Sequence, residues 1–287
     1  MKNLLKRIIN TNILWIPILI YAGNRSYISQ DEGFYALQAR WIIEKGNWIA
    51  PMWWDQISFD RTIGIQWLIA ISQSVFGQTI LAAHIPSLIC SFICLIVTYK
   101  ISIELIGEEY SWLSPILLLT TYLWVNNAHL ATQDMPLLAL EILGIYSLIK
   151  AKDNTKINYL FISGLWIGLC LLIKSVMILV PLISISPYVY FYRKHVFSSK
   201  YFWFGLFIGF IPMILWLSLS LKSYGSQAIL SQINKLGYLK SSNAFSKPFY
   251  YYLWNIPANT FPWGILSILG SIKILLDKNL KKILILV

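Results

Sequence analysis

Long apolar runs, separated by segments that carry Lys and Arg, are the feature that most limits what this chain can fold into. A helix needs about 20 predominantly apolar residues to cross a bilayer. Eight runs approach this length, at residues 8–23, 80–103, 112–128, 135–149, 158–173, 176–192, 201–221 and 256–276. We therefore predict an all-α integral membrane protein, a multi-span helical bundle with residues 1–287 in one transmembrane domain.

The composition supports hydrocarbon as the main solvent. Charged residues make up only 12% of the chain, and the mean hydropathy is +0.62, whereas soluble domains carry about a quarter charged residues. The net charge of +11 does not indicate nucleic acid, because Lys and Arg lie between apolar runs rather than on one basic face. Membrane lipid headgroups and phosphate-bearing substrates are the expected partners.

The two ends of the chain leave alternatives open. A ninth apolar run begins at Ile283 and stops at Val287, which predicts a fragment, a split gene product or a degenerate copy, with a companion polypeptide possible. The N-terminal run is either a retained span or a cleaved signal peptide. Retention is favoured because Tyr21-Ala22-Gly23-Asn24 lacks a clear small-x-small site and further spans follow.

Lys and Arg also predict the orientation of the chain. With the N-terminus in the cytoplasm, fourteen of the 23 Lys and Arg residues fall on the inner side, mostly in short loops, as the positive-inside rule requires. The long outer segments are then 24–79 and 222–255. Counting 63–76 as a further full span would invert every later loop, so we predict that this segment forms a helix at the outer interface. The orientation suits a plasma (inner) membrane.

The three cysteines all lie inside apolar runs. Cys90 and Cys94 are one helical turn apart and could hold a metal, but no further ligand lies nearby in the sequence. Small core side chains are the favoured interpretation for this pair and for Cys170. We predict no metal site.

The outer segment 24–79 holds most of the residues that could take part in catalysis or in substrate binding. Ser29 and Glu32 fit a capping box, which predicts a helix to about Lys45 that ends at Gly46. An apolar stripe would lay this helix on the membrane, and Asp31 and Glu32 would face an outer aqueous pocket. The stripe consists of Phe34, Leu37 and Trp41. Alternatively, Asp31 and Glu32 only complement the helix dipole.

A second helix is predicted over about 62–76, closed by Gly77, with Thr62, Gln66 and Gln73 on one side. Between the two helices lies the aromatic segment 48–55, which ends in Trp53-Trp54-Asp55. Aromatic rings near carboxylates suit sugars, but an aromatic belt at the headgroups is an equally good interpretation. Tyr35, Trp53 and Trp54 are the candidate sugar or acceptor platform.

An ordered series of short motifs resembles the GT-C superfamily, closest to the aminoarabinose transferases that modify lipid A and to the protein O-mannosyltransferases. Each motif alone is weak, but their order covers nearly the whole chain. The motifs are residues 31–36, 46–51, 59–61, 67–68, 76–77, 83–87, 134–137, Lys174, 247–252 and 261–263.

This resemblance implies an inverting transfer of a sugar from a polyprenyl-phosphate donor to a glycolipid, glycan or protein acceptor at the outer face. No cofactor beyond the donor is implied. A carboxylate must deprotonate or orient the acceptor hydroxyl, and the resemblance assigns this to Asp31, with Glu32 beside it and Asp134 as a second acidic wall. Cations must stabilise the departing phosphate. The candidates are Arg61, Lys174 and Lys247.

The chain departs from the family pattern at several positions. Arg61 followed by Thr62 replaces a Lys-Pro pair, which keeps the charge but changes its geometry. The stretch before Pro248 lacks an expected acidic or histidine residue. The family's remaining spans and outer C-terminal domain are not found in these residues, which puts independent activity in doubt.

Several polar residues have two interpretations. Lys174 is either a phosphate ligand or a lysine that extends to the interface. His129 lines a pocket or surface in the favoured interpretation and takes part in catalysis in the other. Glu141 lies within a span, where a charge is costly and often functional, although a neutral or paired structural role is slightly favoured.

Two other protein classes compete with a transferase. A transporter or flippase would also use charge within the membrane, but it commonly shows matching interrupted helices in two halves and a midplane site. The polar residues here concentrate in an outer segment instead. A non-catalytic or split subunit of a transferase also remains open.

Overall fold

The computed structural model describes residues 16–20, 22–24, 26–27, 31–241 and 247–276. Most of the N-terminal run at 8–23, for which a signal peptide is the alternative, therefore lies outside the described residues. Ser29 and the run from Ile283 lie wholly outside them. The described part is mainly helical. Its helices are α1 (Ile16–Leu19), α2 (Asp31–Lys45), α3 (Gly64–Phe76), α4 (Ile80–Ile106), α5 (Leu113–Leu119), α6 (Tyr122–Ala128), α7 (Asp134–Lys150), α8 (Ile157–Lys174), α9 (Leu179–Tyr192), α10 (Lys200–Tyr224), α11 (Gln227–Ser241), α12 (Phe249–Asn259) and α13 (Gly264–Leu276).

Three helical segments in the described part are long and apolar enough to cross a membrane: α4, α8 together with α9, and α10. The chain reverses between α8 and α9, through a 3₁₀ turn at Ser175–Ile178. Ile167 of α8 and Leu182 of α9 consequently pack in one cluster. The sequence-based division into separate spans at 158–173 and 176–192 is therefore correct.

Helices α8 and α10 pack backbone to backbone. A Cβ atom added at Gly164 would lie 2.1 Å from the carbonyl oxygen of Phe202, and one added at Gly205 would lie 2.0 Å from that of Phe161. Gly168 and Gly209 face the partner backbone in the same way. Such small-xxx-small pairs let membrane helices approach closely, where van der Waals contacts hold them together.

Two predicted spans are broken rather than continuous. Residues 112–128 divide into α5 and α6 at Thr120-Thr121, and residues 256–276 divide between α12 and α13 around Pro262. The Thr120 hydroxyl donates to the carbonyl of Ile116 at 2.8 Å, and proline has no N–H for a helix. The two breaks are in contact with each other, because Trp263 Nε1 donates a hydrogen bond to Thr120 Oγ1 at 2.7 Å. The apolar pattern does not reveal this arrangement.

The outer segment forms the two predicted helices. Helix α2 runs to Lys45 and is followed by Gly46 at a φ of +66°, and α3 is closed by Gly77 at +83°. Between them lies a short antiparallel ribbon, β1 (Met52–Trp53) with β2 (Gln56–Ile57). The bundle-facing side of α2 carries Tyr35, Ala36, Ala39 and Ile42, so the predicted stripe of Phe34, Leu37 and Trp41 lies on another side.

Helix α3 buries polar side chains together with apolar ones, which include Ile65 and Ile69. Gln66, Ser72 and Gln73 are buried, whereas Ile71 and Val75 are exposed. Thr62 is buried with them just before the helix. The burial of Thr62, Gln66 and Gln73 agrees with their predicted clustering on one side.

The bundle has two chemically different ends. We call the end with Asp31, Asp134 and Lys174 the acidic end, and the end with Lys150 and Arg193 the basic end. At the basic end, Arg193 donates to the carbonyls of Leu148 and Ile149 at 3.2 and 3.0 Å. Residues 150–157 and 193–200 therefore share one end, as the sequence predicts.

Candidate active site

Asp31 and Arg61 form the first of two carboxylate–cation pairs at the acidic end. Arg61 Nη2 donates to Asp31 Oδ1 at 2.7 Å, and Nη1 donates to the hydroxyl of Tyr35. The guanidinium carbon lies 5.0 Å from the centre of the Tyr35 ring. Asp31 opens α2, and its side chain remains 62% exposed.

Arg61 keeps its positive charge in this setting. Burial alone would lower the pKa of Arg61, but Tyr35 and Asp31 outweigh this effect and raise it above its usual value. Burial also raises the pKa of the Tyr35 phenol, so this hydroxyl stays neutral. The guanidinium is thus a permanent cation beside an open carboxylate.

Asp134 and Lys174 form the second pair. Lys174 Nζ donates to Asp134 Oδ1 at 2.6 Å, and Thr132 Oγ1 donates to Asp134 Oδ2 at 3.1 Å. Asp134 opens α7 and Lys174 closes α8, so each charge also complements the dipole of its helix. Both side chains are partly exposed. The structure therefore pairs a predicted acidic wall with a predicted phosphate ligand.

The two pairs belong to one region. Glu32 Oε1 contacts His84 Nε2 and accepts a hydrogen bond from the main-chain N–H of Ala131 at 2.9 Å. The start of α2 is thereby joined to the turn before α7. Besides burial, the negative charges of Asp31 and Asp134 raise the pKa of the Tyr35 phenol. Two acidic groups about 100 residues apart in sequence thus lie at the same end of the bundle.

Two predicted site residues are placed differently from the expectation. Glu32 does not face an aqueous pocket, because its side chain is 1% exposed against His84. Tyr35 is equally buried and lies against Arg61, so its ring offers no surface on which a sugar could stack. Helix periodicity alone does not reveal that the Glu32–Tyr35 side of α2 faces the bundle.

Of the other predicted platform residues, Trp53 is half-buried and Trp54 is exposed. Trp53 packs 4.7 Å from Phe34 and 6.1 Å from Trp41, measured between ring centres. Trp54, at a φ of +50°, is 73% exposed beside Trp53. The aromatic segment thus forms a cluster on α2, next to the residues that contact Arg61.

Lys247 is not joined to the two pairs by any contact among the described residues. Its Nζ lies 5.8 Å from the centre of the Tyr251 ring in α12. His129 donates from Nδ1 to the carbonyl of Val125 at 2.9 Å, which is a local contact within α6. Glu141 is half-buried in the middle of α7.

The cysteines occupy core positions. Cys94 and Cys170 are fully buried in separate apolar clusters, and Cys90 is half-buried. Within the described ranges, no group of His, Cys, Asp and Glu has the arrangement of a metal site.

His84 is the functional candidate that the sequence reasoning missed. It lies near the start of α4, is 1% exposed and contacts Glu32. A signal was available, because His84 stands in the motif Ala83-His84-Ile85-Pro86-Ser87, close to the start of the span at 80–103. A basic residue near the start of a span is a candidate partner for the acidic pair.

Comparison with known protein families identifies the family to which this chain belongs. The family model described as dolichyl-phosphate-mannose-protein mannosyltransferase matches residues 60–218, which is more than half of the chain. The chain belongs to this family. The matched residues include Arg61, Asp134 and Lys174, so membership in the mannosyltransferase family and the site rest on the same part of the molecule. The predicted GT-C resemblance is confirmed.

Curated relatives point to the same superfamily. The undecaprenyl phosphate-alpha-4-amino-4-deoxy-L-arabinose arabinosyl transferase of Shewanella sediminis is 24% identical over 259 residues, which cover 87% of this chain and 47% of the relative. The enzyme of the same name from Photorhabdus laumondii is 23% identical, with coverage of 86% and 46%. The chain thus spans about half the length of the curated relatives it matches.

Solved structures confirm the predicted helical membrane fold. The crystal structure of ArnT from Cupriavidus metallidurans bound to undecaprenyl phosphate superposes with a TM-score of 0.75 at 15% identity, over 88% of this chain and 48% of that one. The apo structure of the same protein gives 0.66.

Proposed function

We propose that this chain transfers a sugar from a polyprenyl-phosphate donor to an acceptor hydroxyl, using the acidic end as the active site. The observation that carries the proposal is the pairing of Asp31 with Arg61 and of Asp134 with Lys174 at the same end of the bundle. A transferase of this kind needs a carboxylate for the acceptor and cations for the leaving phosphate. The two pairs supply both.

Arg61 and Lys174 are the proposed phosphate ligands. Arginine presents a planar fork of donors that suits phosphate oxygens, and lysine adds a compact charge. Their carboxylate partners are partly exposed, so an incoming phosphate can replace a carboxylate oxygen as the hydrogen-bond acceptor. Lys247 is a reserve candidate, because it lies in the second outer segment. We propose that these side chains make a metal or other cofactor unnecessary.

Asp31 is the proposed general base. The acceptor oxygen forms a bond to the anomeric carbon while the bond from that carbon to the phosphate oxygen breaks. The bonding electron pair leaves with the polyprenyl phosphate, and the hydroxyl proton passes to Asp31. Arg61 and Lys174 stabilise the negative charge on the departing phosphate. Asp134 forms the opposite acidic wall.

The exposed ring of Trp54 and the half-buried ring of Trp53 beside it are the proposed stacking surface for a sugar. They lie on α2 beside Phe34 and Trp41, near the Asp31–Arg61 pair. The names of the relatives favour an undecaprenyl-phosphate-linked aminoarabinose as donor, and the resemblance to lipid A transferases favours a glycolipid acceptor. Other glycans and proteins remain possible acceptors.

We further propose that the site faces outward from the plasma (inner) membrane. A companion polypeptide is compatible with a chain that spans about half of its curated relatives. In that case this chain would supply the carboxylates and cations and its partner would complete the acceptor site.

Turnover of a radiolabelled polyprenyl-phosphate sugar by membranes that contain this chain tests the proposal. Asp31→Asn removes the base with little change in shape, so the rate should fall by roughly a hundredfold or more. Asp55→Asn is the matched control, because Asp55 is an exposed aspartate of the same segment that also contacts a cation, Lys45. An equal rate in the two variants would remove Asp31 from the reaction.

A further inference from the structure

We propose that Glu32 and His84 are positioning residues that fix the separation between the two carboxylate–cation pairs, and that Glu32 does not itself accept the acceptor's proton. The inference rests on the proposed transferase function, because it assigns a role within the same site. Its test includes a measurement that does not depend on turnover.

The burial of Glu32 argues against direct chemistry. A general base must lie within hydrogen-bond reach of the hydroxyl it deprotonates, and the side chain of Glu32 is 1% exposed. Asp31, the preceding residue, is largely exposed. Two adjacent carboxylates thus have opposite environments, and only that of Asp31 admits a substrate.

The contacts of Glu32 join three separate elements. Glu32 lies in the first turn of α2, His84 lies near the start of α4, and Ala131 lies in the turn before α7. A single carboxylate oxygen contacts both His84 Nε2 and the N–H of Ala131. Removal of this side chain would break the polar link among three elements that also pack together through Ala36, Ala83 and Ala131.

These contacts bear directly on the site because of their places in the chain. Glu32 follows Asp31, and Ala131 precedes Asp134 by three residues. A change in the Glu32–Ala131 distance would therefore also change the distance between Asp31 and Asp134. Arg61 and Lys174 are hydrogen-bonded to these two aspartates, so the distance between the two cations would change as well. Displacements of about 1 Å in such a site can cost roughly a hundredfold in rate.

His84 provides the partner that a buried carboxylate requires. An unpaired buried carboxylate is costly, and His84 Nε2 faces Glu32 with its ring fully buried. His84 Nδ1 has no hydrogen-bond partner in the described part of the chain, so Glu32 is its main polar contact there. Burial and, second, the negative charge of Glu32 raise the pKa of Tyr27, whose ring lies 6.0 Å from that of His84.

Hydrogen exchange at the amide of Ala131 tests the link without any need for turnover. In the full chain in detergent, Glu32→Ala should speed exchange of this amide by about tenfold, as expected for the loss of one hydrogen bond to a charged group. Glu32→Gln should retain most of the protection, because an amide oxygen still accepts from Ala131. Glu44→Ala is the matched control, since Glu44 is an exposed α2 carboxylate paired with Arg40. It should leave Ala131 unchanged.

Kinetics of the same variants separate positioning from chemistry. Glu32→Ala and His84→Ala should lower kcat by about tenfold or more, and Glu32→Gln should lower it only a few-fold, far less than Asp31→Asn. His84→Arg should restore most of the rate lost in His84→Ala, because arginine also donates to the carboxylate. A fold defect alone would lower the yield of folded protein without this pattern of rescue.

Two results would overturn the inference. One is unchanged exchange at Ala131 in Glu32→Ala, which would show that the link does not hold the turn. The other is a loss of turnover in Glu32→Gln as complete as in Asp31→Asn with Ala131 still protected, which would make Glu32 a catalytic residue. If the unmodified chain shows no turnover, the proposed function of the isolated chain fails, and exchange at Ala131 still decides the positioning role.

Discussion

The two ends of α7 both carry charged side chains, but the partners of those charges differ. At the basic end, Glu104 lies between Lys150 and Lys152 at 2.7 and 3.3 Å, and Arg193 donates to main-chain carbonyls that close α7. At the acidic end, Arg61 and Lys174 each hold a partly exposed carboxylate. The basic-end charges complete a helix end, whereas the acidic-end charges are open to exchange of partners.

We therefore expect substitutions at the two ends to change different properties of the protein. Variants at the basic end should change stability and leave the rate per folded molecule intact. Variants at the acidic end should change binding and rate with little effect on stability, because exposed ion pairs contribute only about 0–1 kcal/mol.

Arg193→Ala should give the largest change in stability. It removes two hydrogen bonds to the carbonyls of Leu148 and Ile149 and a contact with the Tyr188 ring at 5.4 Å. Hydrogen bonds that involve a charged group contribute roughly 1.5–3 kcal/mol, so a loss of about 3 kcal/mol in the free energy of unfolding is expected. Denaturant unfolding in detergent measures it. Turnover per folded molecule that fell with stability would place Arg193 in the function as well.

Arg61→Ala should give a smaller energetic change that appears in binding. Donor-phosphate affinity should fall by about ten- to a hundredfold, the range expected for loss of a charge-assisted hydrogen bond. Arg61→Lys should retain part of the affinity, because the charge survives without the fork. Titration with undecaprenyl phosphate measures both variants. Full affinity in Arg61→Ala would exclude this side chain from the phosphate site.

Glu104→Gln should give the smallest effect of the three. The substitution keeps the shape of a side chain that is 16% exposed and removes its charge from Lys150 and Lys152. We expect a loss of about 1 kcal/mol in stability, measured by the same unfolding experiment, and an unchanged donor affinity. A drop in donor affinity would mean that the two ends are coupled.

The sequence predicts the helices well where the pattern is simple. Apolar runs locate α4, α7, α8, α9 and α10, and the glycines at positions 46 and 77 mark the ends of α2 and α3. The breaks at Thr120 and Pro262 could not be predicted from these runs, because they depend on contacts between the two broken helices, such as that of Trp263 with Thr120.

The sequence predicts which residues belong to the candidate site better than it predicts how they are arranged. Asp31, Arg61, Asp134 and Lys174 were all expected to serve one cavity, and the structure forms two pairs from them. Their pairing could not be read from the sequence because the partners lie 30 and 40 residues apart. The burial of Glu32 and Tyr35 depends on which side of α2 meets the bundle, and α2 has apolar residues on more than one side.

We propose that the Asp31–Arg61 and Asp134–Lys174 pairs form one site for a donor phosphate. A double-mutant cycle of Arg61→Ala and Lys174→Ala, read out as the affinity for undecaprenyl phosphate, tests it most directly. If both cations contact the same phosphate, the two losses should be non-additive, with a coupling of about 0.5–3 kcal/mol as found for residues that share a partner. Losses that simply add, or a Lys174→Ala variant with full affinity, would contradict a shared site.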